Sequence, residues 1–485
     1  MDIKKTAISG AIWKFIERIL AQGISLTVSI ILARLLEPSD YGLVSIVTIF
    51  FAFANVLISG GLNTALMQRK YVDEEEYSTV FTLSLFISIV LYILLYLFSP
   101  LISDLYNQPE LIYIIRVMGL SLPIYATKSI VSAYTSATLQ FKKFFFSTLG
   151  GTIFSAFIGI CMAFKGFGAW ALVAQQLSNT LIDTIILYCV TNLKVRIYIS
   201  IRKFKELFSY GWKIFASSIL NTIYNQLNPL IIGIKFTSAD LSFYTKGQQF
   251  PEALSTSLIN TFSSVLFPIL SKFQDDKEKL LRGTRQFIRL VSFVVFPIMI
   301  GFFSISETFV RILLTDKWLP VVYYIRIFCF QGLFDIVTIG NCETIKAIGR
   351  SDIFLKIEIL KKTLYFLTLV VFITFSQTPE ILALSVILIT IIATVINCIP
   401  NIWLIGYKIK YQIQDLFINF LCAFVMGGIV LLVGKLNLNI YMLFLLQVVV
   451  GIFSYIIICL ICKNENFYYV KNIIINYLNK RRKEV

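Results

Sequence analysis

The 485-residue sequence contains no histidine, only 11 prolines, and few charged residues, 14% in all. Without histidine, His-based acid–base catalysis and the common zinc hydrolase sites are excluded. Eight cysteines are present, yet each lies in or at the end of an apolar stretch, which argues against a disulfide framework. Cys459 and Cys462 formally satisfy C-x-x-C, but on an apolar helix two packed thiols are expected. No G-x-x-x-x-G-K-[ST] run occurs, so no intrinsic ATPase is expected. Nothing suggests a metal site or a bound cofactor. Also missing is a short apolar core closed by an A-x-A cleavage site, and residues 9–36 are long enough to remain as a first span.

What the chain has instead is apolar length. Hydrophobic residues make up 57%, and the mean hydropathy is +0.81. About 14 apolar stretches run from 9–35 to 439–462, most of them near the ~20 residues a helix needs to cross roughly 30 Å of hydrocarbon. An all-α polytopic membrane protein with about 14 transmembrane helices is therefore expected. Charge supports that division. The N-terminus and every second connector hold most of the basic residues outside the spans, whereas the opposite set holds only Arg34, Lys165, Lys235, Arg311, Lys317 and Lys435. Such a bias places both termini in the cytoplasm. The net charge of +16 then marks a face turned toward anionic membrane lipids, and no soluble segment is large enough to bind nucleic acid.

The longest basic connector, 192–208, separates two halves that echo one another. Lys14, Arg18, Gln22, Leu26 and Ser29 precede Lys213, Ser217, Asn221, Asn225 and Asn228 by 199 residues, and each series keeps to one helical face. Arg116 and Arg326 correspond across 210 residues. Six spans separate the halves, so the repeats enter the membrane in the same direction, as in one class of rocker transporters. The expected division is an N-lobe at 1–195, a C-lobe at 196–410, and a segment at 411–485 with two unmatched spans and a basic cytoplasmic tail.

Charged residues inside spans are costly, about 2.5–3.5 kcal/mol for a central Lys or Arg on insertion scales. Arg289, Lys346, Lys361 and Lys362 can reach the cytoplasmic surface, and Lys128 can be packed. Lys14, Arg18, Arg116, Lys213, Lys246 and Arg326 are the candidates for a cationic cavity suited to a polyanion, with Arg18 roughly 13 Å into its helix. The competing reading is ion pairing, with Glu17 neutralising Lys14 or Arg18 and Asp335 serving Arg326. Polar residues at helical spacing support a cavity, among them Gln22, Asn55, Asn221, Asn225, Gln249 and Asn260, although amides also glue helices together. Glu17, Glu252 and Asp335 are the carboxylates placed for coupling to H+ or Na+. Pro123, Pro229, Pro251 and Pro297 can bend their spans. Short outer connectors leave little room for the active site of a membrane polymerase, so no enzyme is expected.

Three segments carry a family resemblance. They are Leu32-Ala-Arg-Leu-Leu-Glu-Pro-Ser-Asp-Tyr-Gly-Leu43, Ser59-Gly-Gly-Leu-Asn-Thr-Ala-Leu-Met-Gln-Arg-Lys70 and Phe262-Ser-Ser-Val-Leu-Phe-Pro-Ile-Leu-Ser-Lys272. The chain resembles polysaccharide exporters of the multidrug/oligosaccharidyl-lipid/polysaccharide (MOP) superfamily, in particular the Wzx-type and teichuronic-acid-type flippases. The resemblance implies two six-helix lobes in a V plus two C-terminal helices, in the inner or plasma membrane. It implies a flippase carrying polyprenyl-pyrophosphate-linked oligosaccharide to the outer leaflet by alternating access, for lipopolysaccharide or exopolysaccharide synthesis. A polysaccharide polymerase and chain-length machinery would be its partners. The alternative within that superfamily is a lipid II flippase or small-molecule antiporter.

Overall fold

The structure, a computed structural model, describes residues 3–69, 73–191, 193 and 195–472. Side chains at 3–12, at 15 and in part of 256–269, where Asn260 falls, lie outside the described set. Among the described residues the regular structure is helical, without a strand. Packing divides the chain into two units, Met1–Ser242 and Phe243–Val485.

The first unit holds α1 (Ile3–Leu35), α2 (Pro38–Ser59), α3 (Leu62–Gln68), α4 (Glu74–Tyr106), α5 (Leu111–Gly119), α6 (Ser121–Ala137), α7 (Phe141–Phe164), α8 (Ala169–Val190) and α9 (Ile201–Lys235). Local chemistry sets many of these ends. Pro38 opens α2 behind a Glu37–Asp40 capping box, and left-handed Gly60 closes it. Asp73 and Glu76 form the same box at α4, which stops at left-handed Asn107. Span four of the sequence is broken between α5 and α6. Pro123 explains the break, because its ring excludes a normal bond to the carbonyl of Gly119, the last residue of α5.

Within this unit α7 packs along α8 and α1, and α9 packs on α2, α3 and α4. Two glycines permit close backbone approaches. A β-carbon on Gly61, whose φ is +71°, would run into the Gly211 carbonyl of α9, and one on Gly42 of α2 would run into that of Ser238, where the following helix begins. The repeat in the sequence divides the chain at 195/196, but by packing α9 stays with the helices before it.

α10 (Ser238–Ser271) leads into the second unit, with α11 (Lys277–Leu313), α12 (Val321–Ala347), α13 (Ser351–Phe375), α14 (Pro379–Leu404), α15 (Ile409–Val433) and α16 (Ile440–Ile461). Its centre is α11, which packs on α12, α15 and α16. A buried amide network ties the last helices in. Asn341 on α12 donates to Gln412 at 2.9 Å, and Asn401 on α14 donates to the Asn341 side chain at 2.7 Å. Asn419 on α15 donates to Ser292 at 2.8 Å, and Asn464 donates to Asn419 at 2.9 Å. In hydrocarbon such bonds are worth about 0.6–2 kcal/mol each. The two unmatched spans are thus built into the unit.

Ten helices among the described residues are long and apolar enough to cross a membrane. The other four long helices counted from the sequence, α8, α9, α10 and α13, are more polar; α13, for example, carries Lys356, Glu358, Lys361 and Lys362. Large apolar side chains such as Phe157, Phe164, Leu445 and Ile461 stay exposed on the helix surfaces, as a lipid-facing exterior requires.

Candidate functional site

In the first unit the expected stripes on α1 and α9 exist as surfaces. Arg18 and Gln22 are exposed on α1, and Lys213, Asn221 and Asn225 are exposed on α9. These polar faces lie on helices whose remaining surface is largely apolar. A face of this kind is stable against water or a polar ligand and costly against acyl chains. Arg18 forms no ion pair among the described residues. Lys14 does form one. Its ammonium lies 2.6 Å from the Glu17 carboxylate and 4.7 Å from the Phe144 ring centroid. The ion-pair alternative therefore describes Lys14, and Glu17 is engaged rather than free.

Arg116 and Arg326 share one local design. Arg116 donates from Nε to Ser99 Oγ at 3.1 Å and stacks 4.2 Å from the Tyr96 ring. Arg326 donates from Nε to Ser306 Oγ at 3.3 Å and stacks 5.4 Å from the Phe303 ring. In each case the aromatic ring precedes the serine by three residues, one helical turn on the same face. Tyr96 and Phe303 are 207 residues apart, as are Ser99 and Ser306. The two arginines matched in the sequence thus make like contacts. Asp335, offered as the counter-ion of Arg326, is not one. It lies nine residues further along α12, roughly 13 Å in rise, within electrostatic reach of Glu252.

Lys246 is buried, with its ammonium 3.2 Å from Gln249 Oε1. Glu252 accepts from Gln248 at 2.5 Å. Lys246, Glu252 and Asp335 therefore place three ionisable groups on α10 and α12 inside one unit. Asn55 lines a small cavity of about 160 Å³ with Thr48, Tyr125, Gln176 and Thr180, and its side-chain oxygen is buried without a donor. Among the described residues no cluster of His, Cys, Asp or Glu has metal-binding spacing.

A larger cavity, about 530 Å³, opens where α11, α12, α15 and α16 meet. Arg326, Arg311, Glu307, Lys435 and Gln447 line it, with Gly428 on its α15 wall. Gln447 had not been singled out in the sequence. A lone glutamine in a 22-residue apolar helix was the available signal.

Two other charged sites were missed. Asp183 on α8 pairs with Lys128 on α6 at 2.6 Å, so Lys128 is packed by a counter-ion. Asp415 on α15 accepts from Arg285 at 2.7 and 2.8 Å, from Arg289 at 2.7 Å and from Tyr407 at 2.9 Å. Each links helices far apart in the chain, so no spacing rule could have paired them. At the other unit's basic end, Lys203 lies 2.6 Å from Asp73, and Arg69 binds both Glu76 and Glu206. The Lys203 hydrogen bond holds the Asp73 carboxyl below its ordinary range, and that same bond raises Lys203.

Similarity to known proteins agrees with this architecture. Over 380 residues the chain is 24% identical to the lipopolysaccharide biosynthesis protein WzxC of Escherichia coli (strain K12), covering 76% of each protein. Over 423 residues it is 25% identical to the teichuronic acid biosynthesis protein TuaB of Bacillus subtilis (strain 168), covering 86% of each. In structure it resembles the lipid II flippase MurJ in an inward closed conformation, with a TM-score of 0.74 at 18% identity over 96% of this chain and 100% of that one. It also resembles an inward-facing multidrug resistance MATE family transporter of the MOP superfamily, with a TM-score of 0.58 at 13% identity over 84% of this chain and 94% of the other. The fold is shared with these two solved structures, and because residues 31–323, more than half of its length, match the family described as polysaccharide biosynthesis protein, the chain belongs to that family.

Proposed function

We propose that this protein is a flippase that carries polyprenyl-pyrophosphate-linked oligosaccharide units from the cytoplasmic to the outer leaflet by alternating access. The observation that carries this reading is the pair of exposed cationic and amide stripes on α1 and α9, centred on Arg18 and Lys213, in a chain of this family. A pyrophosphate needs cations in a site of low dielectric, and sugar hydroxyls need amides. The prenyl tail would stay in lipid, since burying it in a polar cavity would forfeit about 0.8 kcal/mol per methylene. In this reading all fourteen long helical segments span the plasma membrane, two lobes rock against each other, and both termini face the cytoplasm. Glu252 and Asp335 would take up H+ or Na+ to couple transport. The product passes to polysaccharide polymerase and chain-length machinery.

The likeness to the lipid II flippase favours one second reading, in which the cargo is that precursor. Depletion separates the two. Our reading expects a lipid-linked polymer repeat unit stranded on the cytoplasmic leaflet, with wall synthesis intact; stranded lipid II would replace it with the second reading. Arg18→Ala combined with Lys213→Ala should abolish export while the protein elutes as a folded species. Normal export in that double variant would remove the cationic mechanism.

A further inference from the structure

The cavity beside Arg326 has a chemistry of its own, independent of the stripes on α1 and α9. We propose that it is a lipid-headgroup site, taking a phosphodiester that carries hydroxyl groups, at the outer surface of the membrane. Its charge is positive where it is free. Arg311 holds Glu307 at 3.1 Å and Asp316 at 2.6 Å, so these three groups are mutually satisfied. Arg326 and Lys435 have no carboxylate partner among the described residues. Ser306 and Phe303 engage one edge and one face of the Arg326 guanidinium, which leaves its terminal nitrogens as donors. Phosphate is the anion that such a fork fits.

The opposite wall specifies more than charge. Gln447 is 2% exposed, and its Oε1 is buried without a donor. An amide oxygen left without a donor in a buried place is costly, and a ligand hydroxyl would satisfy it. Depth agrees. Arg326 lies five residues into α12 and Gln447 seven into α16, or roughly 8 and 10 Å from the helix ends that the basic-residue bias assigns to the outer side. That is the level of headgroups and the first methylenes. The space beside Gly428 is open, since a β-carbon there would meet nothing within 4 Å.

Two lipids present this chemistry at the outer leaflet: a glycerol-headed phospholipid of the bilayer, and a sugar-bearing polyprenyl pyrophosphate after translocation. Native mass spectrometry of the purified full-length protein tests the site directly, with phosphatidylglycerol, phosphatidylcholine and a short-chain polyprenyl-pyrophosphoryl glucose as probes. The wild type should retain phosphatidylglycerol about tenfold more strongly than phosphatidylcholine. Arg326→Gln and Gly428→Leu should each erase that preference, the first by removing the donor and the second by filling the space. Displacement of phosphatidylglycerol by the glucosyl lipid supports the site as an exit station for cargo; retention of phosphatidylglycerol alone supports it as a site for a resident lipid. Equal retention of the two phospholipids by the wild type, or an unchanged preference in both variants, overturns the proposal. No transport is measured, so a negative result here leaves the flippase reading standing.

Discussion

Arg116 and Arg326 occupy matching places in the two halves and make the same two contacts, to a serine and to the aromatic ring one turn before it. Their surroundings differ. Arg116, on α5, rests against α4, whereas Arg326 lies on α12 beside a cavity that α11, α15 and α16 also line. The same local clamp thus stands in two settings, and the helices around it decide whether the remaining guanidinium nitrogens face an open space.

Several substitutions would break or sharpen this contrast. The largest effect is expected for Asp415→Ala, which removes the acceptor of Arg285, Arg289 and Tyr407 where α15 meets α11. A buried pair broken on one side costs about 3–5 kcal/mol, so thermal unfolding should shift sharply downward. An unchanged midpoint would mean that α15 is held by its amide bonds and apolar packing without the Asp415 cluster. In the first unit Gly61→Val should cost about 2–3 kcal/mol, because a branched side chain at φ +71° is strained and meets the Gly211 carbonyl. Wild-type stability in that variant would separate α9 from α2.

Arg116→Gln should cost only about 1 kcal/mol, mostly its ring contact, and should leave phosphatidylglycerol retention as it was. A loss of retention equal to that of Arg326→Gln would erase the asymmetry. The smallest effect concerns the Asp73–Lys203 bond. Asp73 is lowered from 3.8 by its Lys203 bond, so its contribution is present above that value and fades as pH falls through the lower folded value. Lys203 is raised from 10.5, so its contribution is present below that value and fades as pH rises through the higher folded one. Stability in the wild type relative to Lys203→Gln should therefore be flat between these limits, and a step near neutral pH would point to another group.

Much of this fold was legible before any coordinates. Apolar length and the basic-residue bias are local signals, whereas the capping boxes and the left-handed turn at Gly60 and Gly61 emerged only with the structure. The reading of a repeat matched Arg116 with Arg326, and both make a serine and an aromatic contact. Site assignments fared unevenly. Lys14 and Glu17 are three residues apart, and their pairing was weighed from sequence. Asp183 and Asp415 escaped notice because each finds its partner on a helix distant in the chain. Asp335 was assigned to the wrong neighbour for a different reason, one the sequence already held: residues nine apart on a helix stand too far along the axis to meet.

By itself the sequence determined that the chain is a bundle of membrane-crossing helices, because hydropathy and periodicity are properties of each segment alone. Only tertiary structure decided which cations are neutralised and which stay free, and where open space remains beside them. Those outcomes depend on which helices pack together, and a charge inside a membrane is governed by its neighbours in space.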